Sequence, residues 1–145
     1  MALLQMAEKI KMVHPDYVIF FKSGIFYYTY KSDAYIVSAL FDYLMKYTDS
    51  IPVCGVSEKA INKVIARLEQ EKINYMIIEP RREYEVEEKL DNGNLNKYNE
   101  VFKKAHKTVK QRKSIDKIVE ELKLHVGKDD FKSIIRKIED VLDEC

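Results

Sequence analysis

Residues 14–30 read HPDYVIFFKSGIFYYTY, and this stretch decides the fold. The continuous apolar run from Tyr17 to Lys22 predicts a strand that is buried on both faces. Ser23-Gly24 supplies a turn, and Ile25 to Tyr30 predicts a second strand of similar composition. Two apolar strands joined at a glycine-containing turn form a rigid ribbon. An aromatic side chain near its tip would suit a wedge or stacking platform for a nucleic acid base.

The segments around this ribbon alternate between helical and strand patterns. A helical apolar stripe precedes it and ends at His14-Pro15. A helix that Ser32 or Asp33 caps follows the ribbon and runs to Tyr47. Ile51 to Val56 predicts a third strand, at a sheet edge or bulged because it contains proline and glycine. The remaining elements of this part are a helix over Ile61, Val64, Ile65 and Leu68, a strand from Asn74 to Glu79 and a short strand around Tyr84 to Val86.

After Gly93 the pattern is helical only. Leu95 to Arg112 predicts a basic helix, and apolar stripes in Ile115–Leu122 and Phe131–Leu142 predict a helical hairpin. The expected fold class is therefore α/β: a mixed β-sheet with flanking helices in residues 1–92, followed by a helical extension in residues 93–145. The hairpin either folds back on the core or binds a partner protein or a second copy, and both alternatives stay open.

Composition argues against several function classes. The charges nearly cancel, with 25 basic and 24 acidic residues, so net charge predicts no partner. Cys54 and Cys145 are too few for a disulfide framework, and the three histidines lie in separate segments without ligand spacing. The sequence shows no phosphate-binding loop and no nucleophile elbow. We expect no enzymatic activity, no cofactor and no metal, and we interpret the acidic run of Glu83, Glu85, Glu87 and Glu88 as a solvated edge.

The amino-terminal segment MALLQMAEKIKMV is amphipathic and soon charged. It fits neither a signal peptide nor a transit sequence. No apolar run approaches the length that spans a bilayer. We therefore expect a soluble cytoplasmic protein without a membrane partner.

The aromatic side chains of the second strand are the first binding candidates. Alternation places Phe26 and Tyr28 on one side, and Tyr27 and Tyr30 mostly on the other. These rings either pack into the core or contact bases; the hydroxyls of Tyr28 and Tyr30 favour at least partial exposure.

Basic side chains supply the electrostatic candidates. Lys22 and Lys31 flank the ribbon and either contact phosphates or are ordinary surface lysines. Residues 97–113 hold seven basic residues and one acidic residue. Within them, Lys103, Lys107 and Lys110 share one helical face and would form a stripe along a phosphate backbone, unless that face is simply solvated.

Residues 1–80 resemble the amino-terminal mismatch-recognition domain of the MutS family of DNA mismatch repair proteins. The resemblance follows the order and spacing of several short elements rather than one motif. These are His14-Pro15-Asp16, Ile19-Phe20-Phe21-Lys22-x-Gly24-x-Phe26-Tyr27, Asp33-Ala34 at a helix start, Ile51-Pro52-x-x-Gly55-Val56, and a helix with Ala60, Val64 and Leu68 at matching apolar positions.

In that family a Phe-x-Glu motif works in the minor groove: the phenylalanine wedges beside a mispaired base and the glutamate hydrogen-bonds it. By position, the phenylalanine corresponds to Phe26, Tyr28 occupies the glutamate position, and Ile25 stands where aspartate is usual. A carboxylate beside phosphates penalises undamaged duplex and gains a bond only at a displaced base. Tyr28 carries no charge, so the resemblance implies nucleic-acid binding without this source of mismatch specificity.

These residues lead to two functional hypotheses. The first is a non-catalytic nucleic-acid-binding module in which Phe26 and Tyr28 stack on bases and the basic helix holds the backbone. The second is a protein-interaction adaptor or accessory factor for a nucleic-acid enzyme such as a reverse transcriptase. The resemblance implies the second because short MutS-like proteins occur beside reverse transcriptases of diversity-generating retroelements. The choice between DNA, RNA and protein as ligand stays open at this point, as does self-association.

Overall fold

The computed structural model of the protein describes residues 2–80, 84–90 and 95–145, with the side chains of residues 4–79 and 97–145. The chain forms two compact units, Met1–Val109 and Lys110–Cys145. Its elements are α1 (Ala2–Val13), β1 (Val18–Ser23), β2 (Phe26–Tyr30), α2 (Ser32–Phe41), β3 (Met45–Thr48), β4 (Ile51–Ser57), α3 (Ile61–Gln70), β5 (Tyr75–Pro80), β6 (Tyr84–Leu90), α4 (Leu95–Lys123) and α5 (Phe131–Asp143).

The six strands of the first unit form one mixed sheet in the order β3-β4-β2-β1-β5-β6. Strands β1 and β5 run parallel, and the other neighbouring pairs run antiparallel. The two strands β1 and β5 can pair parallel because a crossover that contains helices separates them in the chain. The predicted α/β class with a mixed sheet and flanking helices is confirmed.

The β1–β2 ribbon is a tight hairpin. Lys22 pairs with Tyr27 and Ser23 pairs with Phe26, so Gly24 and Ile25 form a two-residue loop. Gly24 has a φ of +60° at the first loop position, where turns of type II′ favour glycine. The ribbon that the sequence predicted is therefore present, with its turn one residue further along than Ser23-Gly24.

The sheet has a core on each face. On its helix-covered face Val18, Phe20 and Tyr27 are buried with side chains of α2, α3 and the first part of α4. On the opposite face Ile19 and Phe21 pack with Ala7 and Ile10 of α1, and with Met76 and Ile78 of β5. Successive residues of β1 thus enter different cores, which is why this strand is apolar throughout. Its predicted burial on both faces is confirmed.

The segment after the ribbon differs from its prediction. The expected helix to Tyr47 ends at Phe41, because Asp42 takes a left-handed conformation with a φ of 55°. Met45–Thr48 then forms strand β3, which the helical spacing had hidden. Asp49 and Ser50, with φ of 51° and 66°, make the two-residue turn from β3 into β4. Positive φ at both loop positions matches the twist that a type I′ hairpin requires.

The third predicted strand is β4, and its expected edge position is wrong. It lies inside the sheet between β3 and β2. Pro52 is accommodated near the start of the strand, where its carbonyl accepts a hydrogen bond from the Lys31 N–H at 2.9 Å. A proline there removes only one backbone N–H donor from the sheet, so β3 and β2 still pair with the other residues of β4.

The carboxy-terminal helices also differ from their prediction. Residues 95–123 form one helix, α4, because neither glycine nor proline interrupts the chain between Arg112 and Ile115. The expected domain boundary at 92 and 93 lies outside the described residues. The first compact unit extends to Val109, since Tyr98, Ala105 and Val109 are buried. The basic segment is thus divided between the two units.

Candidate functional site

Phe26 and Tyr28 lie together on the sheet face opposite the helices α2 and α3. Alternation along β2 buries Tyr27 and Thr29 on the helix side and leaves Phe26, Tyr28 and Tyr30 on the other. Phe26 is 38% exposed and Tyr28 is half-buried. Their ring centroids are 6.0 Å apart at an interplanar angle of 34°, the geometry of a tilted aromatic pair. The sequence correctly placed these two rings on one face.

The placement of Tyr30 was wrong. It lies on the same face as Phe26 and Tyr28, and its ring is 6.0 Å from that of Phe21, at the edge of the core under α1. Burial, and secondarily Tyr28, raise the pKa of Tyr30. Strict alternation along a strand without a bulge places Tyr30 on the face of Phe26 and Tyr28. Because the Tyr30 ring packs against Phe21, the candidate pair for base contact is Phe26 and Tyr28.

The pair borders a groove of about 590 Å³ over strands β2, β4 and β3. Lys46 supplies its positive charge, and none of the described lining residues carries a carboxylate. The groove is therefore mainly apolar and aromatic, with one cation at its side. The lining residues are Phe26, Tyr28, Tyr43, Leu44, Lys46, Thr48, Val53, Gly55, Ser57 and Ala60.

Gly55 determines how the Tyr28 ring is seated. The two residues are direct cross-strand partners. A Cβ on Gly55 would lie 3.2 Å from Cε1 and 3.4 Å from Cδ1 of Tyr28. The missing side chain thus leaves the space that the tyrosine ring occupies, a common use of glycine in a strand interior. The Tyr28 ring thus lies next to Gly55, and the ring of Phe26 lies beside it.

The two lysines that flank the ribbon do not join this groove. Lys22 lies on the helix-side face with its Nζ 5.8 Å from the centroid of Tyr27, its cross-strand neighbour. Lys31 forms an ion pair with Glu8, its Nζ 2.8 Å from Oε1. The residue that sequence reasoning missed is Lys46, because its segment was interpreted as helix.

The basic stripe of α4 is likewise separate from the aromatic pair. Lys103 and Lys107 are exposed on the part of α4 whose Tyr98 and Ala105 are buried in the helix-side core, so the sheet lies between them and Phe26. Lys110 belongs to the second unit. The structure therefore does not place Lys103 and Lys107 on one surface with the aromatic pair.

A buried carboxylate that the sequence offered only as a helix cap lies elsewhere in the first unit. Asp33 is 4% exposed. Lys11 Nζ is 2.7 Å from its Oδ1, the Ile19 N–H donates to its Oδ2 at 3.2 Å, and the Tyr98 hydroxyl donates to its Oδ1. Burial raises the pKa of Asp33, and Lys11, Tyr98 and the Ile19 N–H oppose that rise. The cluster ties α1, β1, α2 and α4 together, which indicates a structural role.

The remaining titratable groups offer little chemistry. Burial raises the pKa of the Cys54 thiol to about 12, so it stays protonated and unreactive near neutrality. Among the described residues, no three of His, Cys, Asp and Glu come together as metal ligands. The side chains of the acidic run from Glu83 to Glu88 lie outside the described residues. Within the described part of the chain, no helix is both long and apolar enough to cross a membrane.

The fold and site together define a small α/β domain in which α2, α3 and the first part of α4 cover one sheet face, and the other face carries α1 and an exposed aromatic pair. Residues 2–99 match the family described as MutS domain I. The chain belongs to this family, as the sequence resemblance indicated, and it contains a module like those that recognise mismatches in DNA.

Two relatives show the extent of the match. The DNA mismatch repair protein MutS of Treponema pallidum (strain Nichols) is 38% identical over 66 residues, which are 46% of this chain and 7% of that protein. The DNA mismatch repair protein MutS of Myxococcus xanthus (strain DK1622) is 33% identical over 75 residues, which are 49% of this chain and 8% of that protein. The similarity is thus confined to a small part of each relative.

Proposed function

We propose that this chain is a non-catalytic nucleic-acid-binding module that holds duplex DNA against the groove over strands β2, β4 and β3 of its sheet. The observation that carries the proposal is the half-exposed pair of Phe26 and Tyr28, which lines one groove together with Lys46; none of the described residues that line this groove has a carboxylate. A DNA ligand is chosen over RNA because the family match is to a domain of DNA mismatch repair proteins.

The exposed ring of Phe26 is the contact that would reach a base. A ring that stacks on or wedges against a base contributes on the order of 1–3 kcal/mol in nucleic-acid complexes. Phe26 is suited to this role because the β1–β2 hairpin fixes its backbone and Tyr28 fixes one side of its ring. A platform held in this way loses little conformational entropy when a ligand binds.

Tyr28 sets the expected specificity. In place of the family's glutamate it presents an uncharged ring that lies on Gly55. An uncharged ring neither repels the phosphates of an intact duplex nor accepts a strong hydrogen bond from a displaced base. We therefore expect similar affinities for matched and mismatched duplex.

Lys46 is the proposed phosphate contact of this surface. It is exposed on β3 and lines the same groove as the aromatic pair. Lys103 and Lys107 of α4, by contrast, lie beyond the sheet from the aromatic pair. Loss of one phosphate contact reduces the slope of log affinity against log salt by about 1.

One titration tests the proposal. Fluorescence anisotropy with labelled matched duplex, mismatched duplex, single-stranded DNA and RNA is measured at low and moderate salt. Phe26→Ala is expected to weaken duplex binding by about tenfold or more, since about 1.4 kcal/mol is a factor of ten. Tyr47→Ala is the matched control: Tyr47 is 45% exposed on the same sheet, but it is not among the residues that line the groove.

The control variant should bind as the wild type does. An absence of binding to every nucleic acid at low salt, or equal losses in the Phe26 and Tyr47 variants, would refute the proposal. Tyr28→Glu tests the specificity argument separately. Restoring the carboxylate should lower affinity for matched duplex more than for mismatched duplex, and an equal effect on both would contradict it.

The adaptor function remains the second candidate. Ile25, at the hairpin tip, is 65% exposed and Leu44, at the groove, is 75% exposed. Exposed apolar side chains of this kind can contact a partner protein as well as a nucleic acid base. If the same titration finds no nucleic-acid binding, the groove is better explained as a protein-docking surface.

A further inference from the structure

The part of α4 that belongs to the first unit carries three exposed lysines. They are Lys103, Lys104 and Lys107. Among the residues that the structure describes, none of these three ammonium groups has an ion-pair partner. Other cations of the same unit do have one, in the pairs Lys11–Asp33, Lys31–Glu8 and Arg67–Glu71.

The three lysines lie on the side of α4 that is turned away from the core. Tyr98 and Ala105 mark the packed side, since both are buried in the helix-side core. Successive residues of a helix are rotated by about 100°, so Lys107 lies almost directly opposite these two residues. The other two lysines lie within about 60° of Lys107 around the helix, and the set covers about 6 Å of its length. These three residues are called the α4 basic face below.

Contacts with α2 hold the helix beneath this face. The Tyr98 hydroxyl donates to the buried Asp33. The rings of Phe102 and His106 lie 6.0 Å and 5.1 Å from the ring of Tyr35. When an anion binds to the α4 basic face, only the lysine side chains therefore need to be ordered, which limits the loss of conformational entropy.

The charge of this face is unbalanced within the helix. Residues 101–115 contain no aspartate or glutamate, and Glu100 is the single acidic residue in residues 97–115. Lys107 follows Lys103 by four positions and Lys104 by three, and like charges at these spacings destabilise a helix. A polyanion relieves this repulsion. Duplex DNA carries one negative charge for about every 1.7 Å of its axis, so its backbone can present a phosphate to each lysine.

The α4 basic face and the aromatic groove lie on opposite sides of the first unit. Phe26 and Tyr28 line the groove on one sheet face, whereas α4 packs on the other face through Tyr98 and Ala105. A sheet and a layer of helices separate the two surfaces, a thickness on the order of 20 Å. One straight segment of duplex therefore cannot contact both surfaces at once.

We propose that the α4 basic face is a second nucleic-acid surface and that one chain bridges two nucleic-acid segments. The groove holds the first segment, and the α4 basic face binds the phosphodiester backbone of the second. The inference rests on the proposed function, because bridging by one chain requires the groove to bind DNA. Contacts to phosphates alone carry no sequence information, so the second segment is bound without sequence preference and with strong dependence on salt.

A capture assay with the full chain tests the bridging. Duplex DNA on beads is loaded with the chain at low salt and washed, and labelled nucleic acid is then added as duplex DNA, single-stranded DNA or RNA. The wild type is expected to capture the label, and Lys103→Gln/Lys104→Gln/Lys107→Gln should capture at least about tenfold less. The slope of log affinity for the label against log salt should fall by about 3, one for each lost phosphate contact. Circular dichroism should show unchanged helix content, because glutamine is a good helix former.

Two further variants make the test specific. The control Lys63→Gln/Lys128→Gln/Lys132→Gln removes the same charge from exposed lysines that lie apart in the chain, and it should capture as the wild type does. Phe26→Ala should also lose capture, because it weakens the other surface.

Three results would overturn the inference. Equal capture by the wild type and the α4 variant would show that bridging does not use this face. A wild type that binds duplex but captures no label would leave an acidic protein as the partner of the α4 basic face. Either result leaves the groove proposal in place if Phe26→Ala still weakens duplex binding. Capture that requires the α4 lysines but not Phe26 would instead refute the groove and, with it, bridging by one chain.

Discussion

The Tyr98 hydroxyl gives the sharpest test of how the first unit is held together. Tyr98→Phe keeps the ring in the core and removes the group that donates to Asp33, which is 4% exposed. Because Tyr98 donates to Asp33, the Ser32 hydroxyl at 2.7 Å must donate to Tyr98, and it loses its acceptor as well. A hydrogen bond to a buried charged group contributes about 1.5–3 kcal/mol. Lys11 and the Ile19 N–H still contact Asp33, so we expect a loss of about 2 kcal/mol.

Urea unfolding followed by tyrosine fluorescence measures this loss. All 10 tyrosines lie in the first unit and the chain has no tryptophan, so the signal reports that unit alone. With a slope of about 1–3 kcal/mol/M, the midpoint should fall by about 1 M urea. Tyr75→Phe is the control. It removes the hydroxyl of a buried tyrosine that donates at 2.9 Å to Glu69, an exposed carboxylate that water can solvate instead, so its loss should be smaller.

The loss should also depend on pH in a defined direction. The bond from Tyr98 lowers the pKa of Asp33, against the rise that burial causes, so the hydroxyl stabilises the ionised carboxylate. The stability difference between wild type and Tyr98→Phe should therefore be largest above the raised pKa of Asp33 and shrink as pH falls through it. Equal losses for Tyr98→Phe and Tyr75→Phe, or a difference that grows toward acid, would refute this account of the cluster.

Two further predictions concern the buried thiol and the turns. Burial raises the pKa of Cys54 to about 12, so a thiol reagent near neutral pH should react with one cysteine, Cys145, in the native chain. In denaturant it should react with both cysteines of the chain. Two thiols that react fast in the native chain would contradict the burial of Cys54. Ser50→Gly should raise the midpoint of thermal unfolding, because Ser50 has a φ of 66° that glycine adopts without strain. Gly24→Ala should lower this midpoint by the equivalent of about 1 kcal/mol, because Gly24 has a φ of +60° that alanine adopts only with strain. Shifts of the opposite sign would show that backbone strain does not govern these turns.

The sequence alone determined the β1–β2 ribbon and the family. The apolar run of β1, the glycine turn and the aromatic run of β2 are short-range signals, and each strand formed where its composition indicated. The order of the short elements identified the family over nearly the region that matches it, residues 2–99. Strand alternation also placed Phe26 and Tyr28 on one face correctly, because that period is a property of the backbone itself.

The tertiary structure decided everything that depends on which elements become neighbours. Residues 45–48 show helical spacing, yet they form a strand because the Asp49-Ser50 turn pairs them with β4. The burial of Asp33 required Lys11 and Tyr98, which are 22 and 65 residues away in the chain. The sheet separates the aromatic pair from Lys103 and Lys107, and only pairing across the sheet places Lys46 on the same groove as Phe26. Local sequence indicates the period of most elements, whereas the strand at residues 45–48 and the face that each element buries are set by long-range packing that no local pattern encodes.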